Sequence, residues 1–175
     1  MTMHTAHDRI FEELVQRHRH ALTGAACHLC GDREVALDLV QETLLDAYRS
    51  LDSLRDPQKA GAWLFTILRR KALAHRRARK AVTELTPELA APAPDDVESM
   101  VRDIVIEQMT QLPREDREIL AGKYLLGLSY RELAETLNLS EGAIRVRCFR
   151  AKEKLREVLS SAGVRVPPRS KPDQP

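Results

Sequence analysis

The sequence predicts an all-α protein, made of two small helical domains joined by a flexible linker. Three observations carry that prediction. Apolar residues recur at about 3.6-residue spacing in both halves of the 175-residue chain. No stretch shows the sustained apolar/polar alternation of a strand. A proline-containing acidic segment separates the halves, and proline bars continuous helix. The length suits one ordinary domain or two small ones with thin cores.

Composition narrows the class. No run approaches the ~18 apolar residues of a membrane span, so no membrane insertion is expected. Met1–Arg9 lacks the apolar stretch of a signal peptide. Three Cys without an export signal do not make a disulfide framework. The expectation is a soluble, cytoplasmic protein. The net charge of +2 says little until it is resolved along the chain. Met1–Lys80 carries 14 basic and 10 acidic residues, and Ser99–Pro175 carries 14 and 11. Ala81–Glu98 carries no base and five acids (Glu84, Glu88, Asp95, Asp96, Glu98), with Pro87, Pro92 and Pro94. The expected organisation is a first domain over 8–80, a linker over 81–98, a second domain over 99–161 and a flexible tail over 162–175.

In the first half, Ile10, Phe11, Leu14, Val15, Leu22, Ala25, Ala26 and Leu29 share a helix face, and Gly31 stops that helix. A second helix is expected over Glu34–Leu51. A third follows the Asp56-Pro57 turn, over Trp63–Lys80. In the second half, Pro113 suits the first turn of a helix running to about Leu126, ended by Gly127. Ser129-Tyr-Arg-Glu132 is a capping box opening a helix over Tyr130–Leu137. Asn138-Leu139 makes a short turn, and Ser140 caps the next helix. Two helices joined this way make a helix-turn-helix, whose second helix can enter a DNA major groove.

The second helix has two faces. Ile144, Cys148, Ala151 and Leu155 form the inner one. Arg145, Val146, Phe149 and Arg150 form the outer one, with Arg147 and Lys154 toward the flank. Outward Val146 and Phe149 are costly unless they meet something, and thymine methyls are a suitable partner. A basic outer face alone also describes an ordinary solvated helix. Its combination with the capping box and turn length favours DNA. In the first half, Arg69–Lys80 holds seven basic residues and no acid. Arg69, Arg70, Arg76, Arg77 and Lys80 share a side opposite Trp63, Leu64, Ile67 and Leu68, as expected of a phosphate-binding stripe. Trp63 reads first as a core anchor rather than a base-stacking residue. Glu34, Asp38, Glu42 and Asp46 repeat at four-residue spacing, beside Gln41 and Leu45. Such like-charge pairs cost a few tenths of a kcal/mol each, so the face is either kept for a basic partner or merely solvated.

These motifs resemble the sigma-70 family. Ala36-Leu-Asp-Leu-Val-Gln-Glu-Thr-Leu-Leu-Asp-Ala-Tyr48 and Ala62-Trp-Leu-Phe-Thr-Ile67, followed by the basic helix, look like region 2. Leu112-Pro-Arg-Glu-Asp-Arg-Glu-Ile-Leu120, Gly127-Leu-Ser-Tyr-Arg-Glu-Leu-Ala134 and Glu141-Gly-Ala-Ile-Arg-Val-Arg-Cys-Phe-Arg-Ala151 look like region 4. Without an intervening region 3, the chain resembles the extracytoplasmic-function (ECF) sigma factors over about Ile10–Leu159. The resemblance implies a region 2 bundle and a region 4 helix-turn-helix. It implies that Asp38, Gln41, Glu42 and Leu45 dock RNA polymerase core on its beta-prime clamp helices, with a further contact to the beta flap. It implies that Trp63, Arg69, Arg70, Arg76 and Arg77 engage the minus-10 promoter DNA. It implies a minus-35 set of Ser129, Tyr130, Glu141, Arg145, Val146, Arg147, Phe149 and Arg150. The linker would lie in the RNA-exit path. An anti-sigma factor is an expected partner, with nucleoid association when active or tethering through a membrane anti-sigma factor. Arg70 and Ala74 stand where the family often has Asn and Asp, and Val146 where it commonly has a polar residue.

Other chemistry finds less support. Cys27-His-Leu-Cys30 is half of a structural zinc site and lacks two further ligands in reach. His18 falls in the apolar stripe, and His20 sits about 10 Å along the helix from Cys27. No nucleophile–base pair, phosphate loop or paired carboxylates suggest an enzyme, and no cofactor or metal is expected. Two other readings are a stand-alone helix-turn-helix regulator and a thiol or zinc sensor on Cys27 and Cys30.

Overall fold

A computed structural model of the chain describes residues 6–82 and 97–165. Among these residues the regular structure is helical throughout. The expected linker falls largely on residues 83–96 and most of the expected tail on 166–175, both outside the described residues. The edges of that linker, 81–82 and 97–98, lie in helices.

The first helix, α1, spans Ala6–Cys30 and buries Leu14, Leu22, Ala25, Ala26, Cys27 and Leu29. Ile10 departs from the expected stripe and is 54% exposed. Adjacent residues on a helix point ~100° apart, and it is Phe11 that turns inward, edge-on to Tyr48 at 5.0 Å. Gly31 ends α1 at φ 75°, as its position suggested. A side chain there would also collide with Thr110, whose Cγ2 would lie 2.5 Å from an added Cβ. Asp32 then caps α2, Arg33–Arg49, by accepting the Val35 amide at 3.1 Å. The helix stops earlier than expected, because Leu51–Ser53 tightens into a single 3-10 turn. After a second such turn, capped by Asp56, α3 spans Ala60–Val82. Leu64, Phe65 and Leu68 are fully buried and Ile67 nearly so.

The second half opens with α4, Val97–Thr110, and α5, Arg114–Leu120. Pro113 stands just before α5 rather than in its first turn. The expected single helix to Leu126 widens instead into a π turn over Ala121–Leu125. Packing accounts for that turn. Gly122 lies so close to the core shared by the two halves that a Cβ there would be 2.6 Å from Leu133 and 3.1 Å from Phe65. Gly127 follows at φ 68°. The next helix, α6, spans Tyr130–Leu137, and Asn138 closes it in the left-handed region at φ 54°. The last, α7, spans Glu141–Ser161 and is capped by Ser140, which accepts the Ala143 amide at 3.2 Å.

The two halves pack against one another. One buried cluster runs from Leu22, Phe65 and Leu68 of the first half to Ile119, Leu128, Leu133, Ile144 and Cys148 of the second. Burying side chains of this size stabilises by about 1.5–3 kcal/mol each. A smaller cluster of Met109, Leu112, Leu120 and Ala151 ties α4 and α5 to α7. Ion pairs also cross between the halves, among them Arg69–Glu118 at 2.7 Å and Lys59–Glu135 at 3.7 Å.

Candidate nucleic-acid and polymerase-docking surfaces

The helix-turn-helix is built as its sequence suggested. Ser129 Oγ accepts the Glu132 amide at 3.1 Å, and the Ser129 amide donates to Glu132 Oε2 at 2.8 Å. The buried face of α7 is Ile144, Cys148 and Ala151, with Leu155 half-buried beside them. Its outer face presents Val146 at 50% and Phe149 at 61% exposure, among exposed Arg145, Arg147 and Arg150. Solvent-facing phenylalanine on a rigid helix is an unusual expense, and here it sits between cations. Arg145 is held in place: its Nη2 donates to Glu141 Oε1 at 2.8 Å, and its guanidinium lies 4.6 Å from the Tyr130 ring centre. Lys123 approaches the same ring at 4.5 Å. Ser129 and Glu141 are thus engaged in capping and in positioning Arg145.

The basic side of α3 divides into two parts. Arg70, Arg76 and Arg77 are exposed. Arg69 is turned to the protein, with its Nε donating to the buried Glu118. Lys71, one of the seven basic residues of the segment but not of the stripe side, lies 2.8 Å from Asp46 and 3.4 Å from Glu42. Trp63 is half-buried against the core, and the Lys80 side chain lies outside the described residues.

On α2, Asp38, Gln41, Glu42 and Leu45 are exposed, and the apolar members Leu37 and Leu45 are 44% and 56% exposed. Asp46 departs from the expected ladder by turning toward α3. A hydrogen bond from Lys71 holds its carboxyl below the usual range, and the same contact pushes the Lys71 ammonium up. The like-charge cost of the ladder is thereby offset at its C-terminal end. The sequence missed Lys71 and Glu118 as structural ions. Only the four-residue spacing of Arg114 and Glu118 hinted at the second.

Cys27 is buried and Cys30 largely so. Cys30 Sγ donates to the Ala26 and Asp32 carbonyls at 3.0 Å each, and burial pushes its thiol up to about 11. Such a thiol is a poor nucleophile. No three His, Cys, Asp or Glu side chains come together to hold a metal among the described residues. No described helix is long and apolar enough to cross a membrane.

A helix-turn-helix with a cationic, partly apolar outer face, joined to a second bundle with its own cationic stripe, defines a DNA-reading protein of two modules. Comparison with known proteins gives the class a family. The model of Sigma-70 region 2 matches residues 14–82, and that of Sigma-70, region 4 matches residues 102–155. RNA polymerase sigma factor CarQ of Myxococcus xanthus is 32% identical over 161 residues, covering 89% of this chain and 92% of that one. ECF RNA polymerase sigma factor SigL of Mycobacterium tuberculosis is 32% identical over 162 residues, with the same coverage. Among solved structures, sigma factor RpoE in complex with the anti-sigma factor NepR from Bartonella quintana matches at TM-score 0.74 and 28% identity. That match covers 86% of this chain and 96% of that one. CnrH in complex with the cytosolic domain of CnrY matches at TM-score 0.64 and 27% identity, covering 87% and 89%. The chain belongs to the extracytoplasmic-function subfamily of sigma-70 RNA polymerase sigma factors, proteins of transcription initiation.

Proposed function

We propose that this sigma factor reads a minus-35 element through α7 and holds the opened minus-10 strand through α3, while α2 docks on core polymerase. The carrying observation is the outer face of α7, where exposed Val146 and Phe149 stand between Arg145 and Arg150. Apolar side chains suit thymine methyls, and arginine forks suit guanine edges or phosphates. Arg70, Arg76 and Arg77 supply a sequence-tolerant phosphate surface. Residues 8–80 and 99–161 are the two working modules in this reading. Exposed Leu37, Asp38, Gln41, Glu42 and Leu45 combine apolar and acidic groups, which suits a partner helix bearing cations. The RpoE and CnrH neighbours, each solved with a bound protein, support an anti-sigma factor as a further partner. The chain's part is recognition, carried out at the chromosome in the cytoplasm.

Run-off transcription with purified core polymerase and genomic promoter fragments tests the reading. Start sites sharing two spaced elements are expected; no initiation on any fragment would refute it. Asp38→Lys combined with Glu42→Lys should weaken binding to core polymerase while the helical circular dichroism is unchanged. Retained affinity would show that this face is only solvated.

A further inference from the structure

We propose that the cleft between the two halves binds a small phosphate-bearing anion, through arginines contributed by α3 and α5. A cavity of about 90 Å³ opens there, lined by Arg69, Arg76 and Arg79 from α3 and by Arg114 and Arg117 from α5. Its floor includes the end of α1, and His75 completes the rim. Five arginines thus line a space whose lining contains a single carboxylate, that of Glu118. Both oxygens of that carboxylate are already engaged: Oε2 lies 2.7 Å from Arg69 Nε, and Oε1 lies 3.1 Å from Arg114 Nε. The positive charge left over in the lining is that of Arg76 and Arg117, which repel one another.

Two further observations point to an anion. Arg117 Nε is buried with no acceptor among the described residues. Buried donors are normally satisfied, so an orphaned guanidinium N–H at the cavity calls for an acceptor. Burial and the neighbouring Arg76 also push the Arg117 guanidinium downward, the mark of a cation lacking compensation. Guanidinium forks drawn from two helices can share the oxygens of one tetrahedral phosphate, which offers more acceptors than a single carboxylate. The volume is well below the ~300–1,000 Å³ of pockets that enclose a whole organic ligand. It suits inorganic phosphate or pyrophosphate, or the phosphate end of a nucleotide whose base stays outside.

Because the cations come from both halves, they repel across the cleft, and an anion between them reverses the sign of that interaction. Binding the anion and holding the halves together are one event. This inference is independent of how the promoter is read, and its test needs neither DNA nor polymerase.

Isothermal titration and thermal unfolding of the full chain, at constant ionic strength, decide it. Pyrophosphate and ADP are expected to bind saturably at one site and to raise the unfolding midpoint in a concentration-dependent way. ADP binding more tightly than pyrophosphate would identify a nucleotide, and equal binding the phosphate end alone; both support the site. Arg117→Gln should weaken pyrophosphate at least about tenfold without altering the circular dichroism. Should that variant fail to fold, exposed Arg76→Gln serves the same purpose. The proposal is overturned if the midpoint shift is matched by sodium chloride of equal ionic strength. It is likewise overturned if both variants bind as the parent does, or if single-stranded oligonucleotide binds in an Arg117-dependent manner and pyrophosphate does not.

Discussion

The two basic helices look alike in composition and differ in what their cations do. On α7, Arg145, Arg147 and Arg150 face outward beside exposed Val146 and Phe149, and Arg145 is steadied by Glu141 and Tyr130. On α3, Arg69 and Lys71 are spent on Glu118, Asp46 and Glu42, leaving Arg70, Arg76 and Arg77 to solvent. A surface of fixed cations with apolar neighbours can discriminate base edges. A surface of loose cations alone neutralises phosphates whatever the sequence. Equal charge therefore predicts unequal roles.

The sharpest way to break that contrast is to remove Glu118. A fully buried pair that loses one partner costs about 3–5 kcal/mol, and Arg69 and Arg114 keep 27% and 29% exposure, so Glu118→Ala should cost about 2–3 kcal/mol. Urea unfolding measures it, and an unchanged midpoint would mean Arg69 is as loose as Arg70. Arg145→Ala and Arg150→Ala should each weaken minus-35 use by ~1–3 kcal/mol, unevenly across base substitutions. A loss uniform over all sequences would make α7 another phosphate surface. Ser129→Ala removes the capping box and should cost ~1 kcal/mol of stability, seen by thermal unfolding. If stability is unchanged, the rigidity attributed to the helix-turn-helix has another source. Arg70→Ala and Arg77→Ala should weaken single-strand binding equally for every sequence and lower the salt slope by about 0.7 each. Sequence-dependent losses would transfer specificity to α3.

The smallest effect concerns pH and serves as a control. Burial lowers His28, and burial with Arg17 lowers His18, from the ordinary 6.5. Below that value the unfolded chain takes up protons that the folded chain refuses, so stability falls as pH drops from 6.5 toward the lowered values. His28→Gln should flatten that part of the pH profile. A profile unchanged by the substitution would show that His28 titrates alike in both states.

Much of this was legible locally. Gly31, Gly127, the Ser129–Glu132 box and the Ser140 cap each depend on a few neighbouring residues, and each stands where the sequence suggested. The inner and outer faces of α7 also followed from helical period alone. The missed features depend on distant partners. Arg69 and Glu118 are 49 positions apart and meet only because the halves pack together. Lys71 counted only as one more basic residue of its segment until α2 was laid beside α3. The π turn at Ala121–Leu125 answers to Leu133 and Phe65 crowding Gly122, a constraint with no local signature. Ile10 was misplaced because periodicity alone did not decide which of two adjacent apolar residues, Ile10 or Phe11, turns inward.

The shared core has a geometric consequence. Promoter elements centred near minus-10 and minus-35 lie about 25 base pairs apart, roughly 85 Å along B-form DNA. A compact body of about 150 residues has a radius of gyration of only ~15 Å. Packed as one body, the molecule is too short a ruler to touch both marks. On the proposed roles, reading a whole promoter means prising Leu128, Leu133 and Ile144 away from Phe65 and Leu68, with polymerase holding the halves at the right separation. The length measured on DNA is then a property of the holoenzyme, set by polymerase and only bounded by the tether between Val82 and Val97.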